Sequence, residues 1–572
     1  MMERARSGPA PRASRLLGFL LLATLAGVLA CGAERVIYRG GPILTMDAGN
    51  RTVEALGTEG AFIRAVGSEA EVRAWAGSSA RVVELGGHAL LPGFVDAHSH
   101  YPGAGIFAIA EDLNSPPIGS VEGIDELVQR LSRRAARTDT GKWVVGVGYD
   151  DTLLREKRHP THADLDRVTT THPVGILHIS GHMAVVNSLG LEQLGIDAGT
   201  PDPKGGRIVR DRATGEPTGL LQENAMAGLQ AQLLHPPPLE VWKMVREANR
   251  RYLASGTTTA QAGYADASQL RGMNWLSRLG AIPLRLVMWP GMETEDQLLS
   301  GQLGFRSYDD HWLRVGAVKV VADGSIQGYT AYLSHPYHLP PGDDPSYRGF
   351  PRIPREELIR RVKRYHAAGL QVAIHVNGDA AIDDILDAIE AAQAEHPRPD
   401  ARPILVHAQM ARPDQLDRMK RLGVIPSFFV LHTYYWGDRH RERFLGPERA
   451  AHISPTRGAL ERGLRFTLHC DTPVVPMEPL RLVWAAVNRL TSSGRPIGPA
   501  ERIPPMQALR AVTLDAAFQG FEEDRKGSLE PGKLADLVIL SDSPLEVPRE
   551  RIDRIRVLET IVAGESVYHA SD

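Results

Sequence analysis

The stretch LLPGFVDAHSHYPG, residues 90–103, decides how the rest of the chain is read. An apolar run ends in His98-Ser99-His100, and Pro102-Gly103 turns the chain at once. Such a segment reads as a buried strand that carries two imidazoles to its tip. Alone the pattern is weak, because 21 His among 572 residues give about one His-x-His by chance. It acquires meaning only if other residues converge on the same point.

A chain of 572 residues exceeds one ordinary core, so several domains or one large barrel with attachments are expected. The formal net charge of −3 argues against a nucleic-acid partner and leaves a small molecule as the expected one. No apolar run reaches transmembrane length. At the N-terminus, Arg4, Arg6, Arg12 and Arg15 precede LLGFLLLATLAGVLA (16–30), and Cys31-Gly32 follows. Residues 1–31 therefore read as an export signal, with Cys31 placed as in a bacterial lipobox. That predicts a periplasmic or cell-envelope lipoprotein touching the membrane only through its lipid anchor. Leu29 is bulkier than the usual residue there, which keeps plain secretory cleavage open. Cys470 is the one other cysteine, so no disulfide is expected.

After the signal, short alternating runs bounded by Gly (35–47, 54–67, 80–93) predict small antiparallel β structure. The same texture returns at 527–544 and 555–570, so residues 34–92 and 525–572 are expected to build one small β-sandwich from both termini. Between them, across 93–524, eight apolar runs alternate with helical patterns. These are FVDAHSH (94–100), TTTAQAGY (257–264), LRLVMWP (284–290) and VGAVKVVADG (315–324), then LQVAIHVNG (370–378), PILVHAQ (403–409), VIPSFFVLHT (424–433) and LRFTLHCDTP (464–473). Eight strands alternating with helices predict an α/β fold, the (β/α)8 TIM barrel. The gap after strand one is too long for a loop and reads as an inserted subdomain over about 101–250. Residues 334–351, rich in Pro, Gly and Tyr, read as a lid or active-site loop.

In this arrangement polar residues recur at the C-terminal ends of the strands. His98 and His100 end strand one, Lys319 and Asp323 strand four, His375 and Asp379 strand five, His407 strand six, His432 strand seven and Asp471 strand eight. Parallel barrel strands present those ends on one face, where such enzymes build their sites. Neutral imidazoles with a carboxylate are a ligand set for Zn²⁺ and related divalent ions, which lower the pKa of water and polarise a carbonyl oxygen. Asp471 is placed to take a proton from water and pass it to a leaving group.

The motifs LLPGFVDAHSH, VKVVADGSIQG (318–328), IHVNGD (374–379), VHAQ (406–409), CDTPVVPMEPL (470–480) and KGSLEPGKLADLVIL (526–540) resemble those of the metal-dependent amidohydrolase superfamily. GHMAVVNS (181–188) and GEPTGLLQE (215–223) place the chain closer to the branch of N-substituted formamide deformylase and the YtcJ-like hydrolases, amidohydrolase family 3. The resemblance implies His98, His100, Lys319, His375, His407 and Asp471 as ligands of one or two ions, with Lys319 carboxylated and Asp471 also the general acid and base. Carboxylation would relieve the cost of burying an ammonium in AVKVVA beside a cation; the alternative is that Lys319 pairs with Asp323. The family's usual Gly-Ser before the strand-eight Asp is His469-Cys470 here, which predicts a bulkier pocket floor with Cys470 as packing.

His182, His432, Trp436 and Asp323 are candidate substrate-binding residues. His182 either contacts substrate or holds the insert together, and His432 with Tyr434, Tyr435 and Trp436 either forms an apolar substrate wall or simply packs. Asp379 either supports a ligand histidine or caps the helix after it. His159, His162, His172, His178, His335, His366 and His440 carry no positional argument. The expected activity is metal-dependent hydrolysis of a C–N amide bond in an N-acyl or N-formyl compound. Ester, lactone or carbamate hydrolysis is the rival within the superfamily, and an inactive envelope-anchored binding lipoprotein the rival outside it. Oligomeric state is open.

Overall fold

A computed structural model describes residues 34–234 and 236–570. The export signal and Cys31 lie outside the described residues. No helix among those described is long and apolar enough to cross a membrane.

Strands from both termini hydrogen-bond into one continuous eight-stranded sheet. The reason is the short strand Ala89–Pro92, which pairs on both edges: parallel to Arg35–Leu44 and antiparallel to Leu537–Leu540. It joins the N-terminal strands to the C-terminal ones. Its four residues are all buried, as a strand covered on both faces requires.

The middle of the chain contributes two parallel sheets. One holds Phe94–Val95, Thr257–Ala265, Arg285–Pro290 and Leu313–Val315; the other holds Val318–Val321, Val372–Val376, Ile404–His407, Ile425–Phe428 and Thr467–Leu468. A bridge between Gly291 and Lys319 links them on one side. On the other side the Asp471 amide donates to the His98 carbonyl (3.1 Å) and the His100 amide to the Thr472 carbonyl (2.8 Å). The fourth apolar run is thus split at Gly316-Ala317, and one piece lies in each sheet. Val372–Val376 and Ile404–His407 are buried along their whole length, the signature of parallel strands packed under helices.

The helices are set by local signals. Asp266 caps Ala267–Arg278 by accepting from the Ser268 and Gln269 amides. Arg355–Ala367 has Glu356 and Glu357 in its first turn and Arg364 and His366 in its last, each matching the helix dipole. Between Glu111 and Glu223 the insert forms its own six-stranded mixed sheet over a separate apolar core. The terminal sheet is fastened to the parallel strands by a buried pair, Arg285 Nη2 to Asp536 Oδ1 at 2.9 Å.

Candidate metal centre

The regular strand ends at Val95, so His98 and His100 sit in the turn beyond it, not on the strand itself. Asp96 and Ser99 shape that turn. The Ser99 hydroxyl bonds the Asp96 carboxylate, and the Gln261 amide donates to Asp96 Oδ2 at 3.1 Å. Burial pushes the Asp96 carboxyl up to about 7. Gly263 on the neighbouring strand gives the His98 ring its place, because a Cβ there would lie 2.2 Å from His98 Cε1. His407 (φ 75°), the last residue of its strand, and Asp471 (φ 57°), beyond the end of its own, both hold the left-handed backbone conformation, a strain typical of functional positions.

These turns bring the donors together. Asp471 Oδ1 stands 3.4 Å from His98 Nε2 and 3.3 Å from His100 Nε2, and donor atoms of all three residues lie within 4.8 Å of one another. The His375 and His407 rings are 4.6 Å apart, and His407 is 5.7 Å from His98. Lys319 Nζ donates to His98 Nε2 at 3.1 Å and lies 5.7 Å from the Trp289 ring, on which His98 stacks. The five residues that the motifs mark as ligands beside Lys319 therefore gather with it around one point.

Burial governs the charge states. It drives His98, His375 and His407 well below the ordinary imidazole value, so all three rings are neutral. It lowers Lys319 to about 7, with only partial relief from Asp471. Burial raises Asp471, but His100, His469 and Lys319 more than reverse this and hold it below the usual carboxylate value.

Behind the donors stands a second row. Asp323, fully buried, accepts from the amides of Asn377 (3.0 Å), Gly378 (2.8 Å) and Tyr332 (3.1 Å) and lies 3.5 Å from His375 Nδ1. Burial lifts it to about 7 against those three amides. It supports His375 from behind rather than facing open space. Asp379 contacts no ligand histidine, and the helix Asp379–Glu395 has Gly378 as its N-cap. Instead Asp379 accepts from the Ser334 amide (2.9 Å), anchoring one end of the 334–351 segment. His469 is the residue sequence reasoning undervalued: its Nε2 lies 3.0 Å from His407 Nδ1. Its position at the end of the eighth apolar run, two residues before Asp471, was the available signal.

His182 reaches from the insert to this cluster. Its ring is 5.2 Å from that of His375, and its Nδ1 is held by Glu223 Oε2 at 2.9 Å. Burial pushes Glu223 up, but His182 and Arg352 pull it down to about 2. His432 and Trp436 are buried at 2% and 1% exposure and stack on each other at 4.5 Å. Two of their polar atoms are engaged, His432 Nδ1 with His440 Nε2 (3.0 Å) and Trp436 Nε1 with Asp150 Oδ2 (3.2 Å). They form a packed layer behind Phe429 rather than an open wall. His178 and His440, which had no positional argument, lie in this layer and in the insert cluster facing it.

The donor set suits a divalent ion. Asp471 Oδ1, which faces His98 Nε2 and His100 Nε2, is buried without a hydrogen-bond partner, an arrangement that is costly unless a ligand satisfies it. Residues 81–568 match the family model described as "Amidohydrolase family". The chain belongs to the amidohydrolase family. Amidohydrolase membership makes it an enzyme that hydrolyses carbon–nitrogen bonds other than peptide bonds. Over 542 residues it is 29% identical to N-substituted formamide deformylase of Arthrobacter pascens, covering 92% of this chain and 97% of that one. It is 29% identical over 559 residues to YtcJ of Bacillus subtilis (strain 168), covering 94% and 100%. Among solved structures, this amidohydrolase is similar to an uncharacterized metal-dependent hydrolase from Pyrococcus horikoshii OT3. The TM-score there is 0.71 at 27% identity, with 90% of this chain and 99% of that one covered.

Proposed function

We propose that the two parallel sheets are halves of one (β/α)8 barrel, and that the cluster at its mouth hydrolyses the amide bond of an N-acyl or N-formyl small molecule. The observation that carries this is the convergence of His98, His100 and Asp471 donors within 4.8 Å, with Lys319 at 3.1 Å from His98. His98, His100, His375, His407 and Asp471 would hold one or two divalent ions, with Zn²⁺ the ion best matched to the imidazole-rich set. Such an ion supplies Lewis acidity toward the carbonyl oxygen and lowers the pKa of the attacking water.

The chain does the rest. The Asp471 carboxylate, held below the usual carboxylate value, takes the proton of the attacking water and delivers it to the leaving nitrogen. His182, fixed by Glu223, orients the acyl group beside His375. Asp323, His432 and Trp436, proposed from sequence as substrate contacts, act from behind the first row. A Lys319 amine lowered to about 7 is partly neutral near physiological pH, the form that captures carbon dioxide to give a carbamate and a proton. Carboxylation would turn a buried cation into two further oxygen donors.

The export pattern of residues 1–31 supports a lipoprotein of the bacterial envelope. Mass analysis of the mature N-terminus should find it beginning at a lipidated Cys31; an unmodified later start would point to plain secretion. For the activity, panels of amides, formamides, esters and carbamates should be offered to the purified mature protein. Turnover confined to N-acyl or N-formyl amides is expected. Turnover of esters or carbamates alone would assign the sister reaction, and none from metal-loaded protein would overturn the reading.

A further inference from the structure

We infer that His469 is a positioning residue that fixes the tautomer of His407 and thereby sets how tightly the centre holds its ion. The inference rests on the reading of that cluster as a metal centre. His469 is 1% exposed and makes two side-chain hydrogen bonds. Its Nε2 lies 3.0 Å from His407 Nδ1, and its Nδ1 lies 2.9 Å from Ser427 Oγ. Its ring cannot swing away, being packed against His98 at 5.3 Å and Phe429 at 5.2 Å. Its amide donates to the Phe428 carbonyl at 3.2 Å, tying the backbone to the neighbouring strand.

The proton inventory of this chain has one solution with every ring neutral. His407 Nδ1 is engaged by His469, so Nε2 is the atom left to ligate. A ligating Nε2 must carry a lone pair, which puts the His407 proton on Nδ1. That proton is donated to His469 Nε2, which places the His469 proton on Nδ1, donated in turn to Ser427 Oγ. A serine hydroxyl can accept there, so the chain ends on the O–H of Ser427. Ligating histidines are commonly oriented by a partner on the other ring nitrogen, usually a carboxylate or carbonyl. Here a second imidazole backed by a serine serves instead, which gives the His469-Cys470 departure from Gly-Ser a purpose.

The test compares wild type with His469→Phe, His469→Gln and Ser427→Ala, using Zn²⁺ and a competing chelator of known affinity. His469→Phe keeps the ring volume without nitrogens and should weaken Zn²⁺ binding by roughly 10- to 100-fold. His469→Gln retains an acceptor for His407 and should recover part of that loss, while Ser427→Ala should cost about threefold. In parallel, ¹⁵N-histidine spectra of the loaded protein should show His407 protonated at Nδ1, a signature that His469→Phe shifts. An unchanged Zn²⁺ dissociation constant in His469→Phe, with an unchanged His407 spectrum, would overturn the inference. If circular dichroism shows that variant unfolded, unchanged affinity in both His469→Gln and Ser427→Ala would overturn it equally. Failure of wild type to bind Zn²⁺ would instead remove the metal-centre reading beneath it.

Discussion

Among the described residues, two clusters pass a simple count of metal donors: His98, His100 and Asp471 at the strand ends, and Asp150, Asp151 and His178 in the insert. Their residue types are nearly the same, yet their hydrogen bonds differ. Asp150 is saturated, accepting from Thr152 Oγ1 (2.6 Å), the Thr152 amide (3.0 Å), Trp436 Nε1 (3.2 Å) and Arg439 Nη1 (2.6 Å). Asp151 is matched by His178 at 3.2 Å and His159 at 3.7 Å. At the strand ends, by contrast, Asp471 Oδ1 and two ring nitrogens, His98 Nδ1 and His375 Nδ1, are buried without a hydrogen-bond partner, against a single such atom, His178 Nε2, in the insert cluster. The insert cluster is a latch that pins the insert to the loop after Ile425–Phe428; the strand-end cluster is a site. What separates them is not which side chains are present but how much of their bonding capacity the fold has already used.

Substitution at each cluster should therefore fail in a different currency. Asp471→Asn should cut turnover by about 10²- to 10⁴-fold while largely sparing metal content, read from steady-state kinetics beside elemental analysis. Turnover within a few-fold of wild type would dissolve the functional half of the contrast. Asp150→Ala removes the carboxylate paired with Arg439 and leaves the Trp436 indole without its acceptor, and should lower stability by about 3 kcal/mol in urea unfolding with metal stoichiometry unchanged. A loss of metal there would make the latch a second site. The smallest effect concerns Glu223, which holds the insert's His182 beside His375 of the strand-end cluster. Because the folded-state value of Glu223 is depressed to about 2 from 4.5, its contribution is fully present above pH 4.5 and is lost as pH falls toward 2. Glu223→Gln should flatten the stability curve in that window. An unaltered acid limb would show that the pair adds nothing to stability.

Much of this was legible in the sequence, for reasons that particular residues make plain. Strand-end polar residues stand out against buried apolar runs, so His375 after VAI and His407 after ILV mark one face without any structure. The parallel sheets and the separate insert follow from the spacing of those runs. Less legible was where each strand stops. Phe94–Val95 and Thr467–Leu468 are only two residues long, so His98, His100 and Asp471 are delivered by turns whose geometry depends on Asp96, Ser99, Gly263 and two left-handed residues. No periodicity announces a positive φ at His407 or Asp471. The burial of His432 and Trp436 was hidden for a different reason: His440 reaches His432 through the short helices that follow it, and Asp150 reaches Trp436 only by the insert's docking. The single sheet from both termini depended likewise on Ala89–Pro92 pairing at two edges, which its apolar composition permits but does not specify.

The central claim is that the strand-end cluster, and not the insert cluster, holds the ion. It is tested most directly by elemental analysis of the purified protein in wild type, His98→Ala with His375→Ala, and Asp150→Ala. The account predicts bound divalent metal in wild type and in Asp150→Ala, and loss of it in the double histidine variant. Metal retained after removal of both histidines, or lost with Asp150 alone, would contradict it.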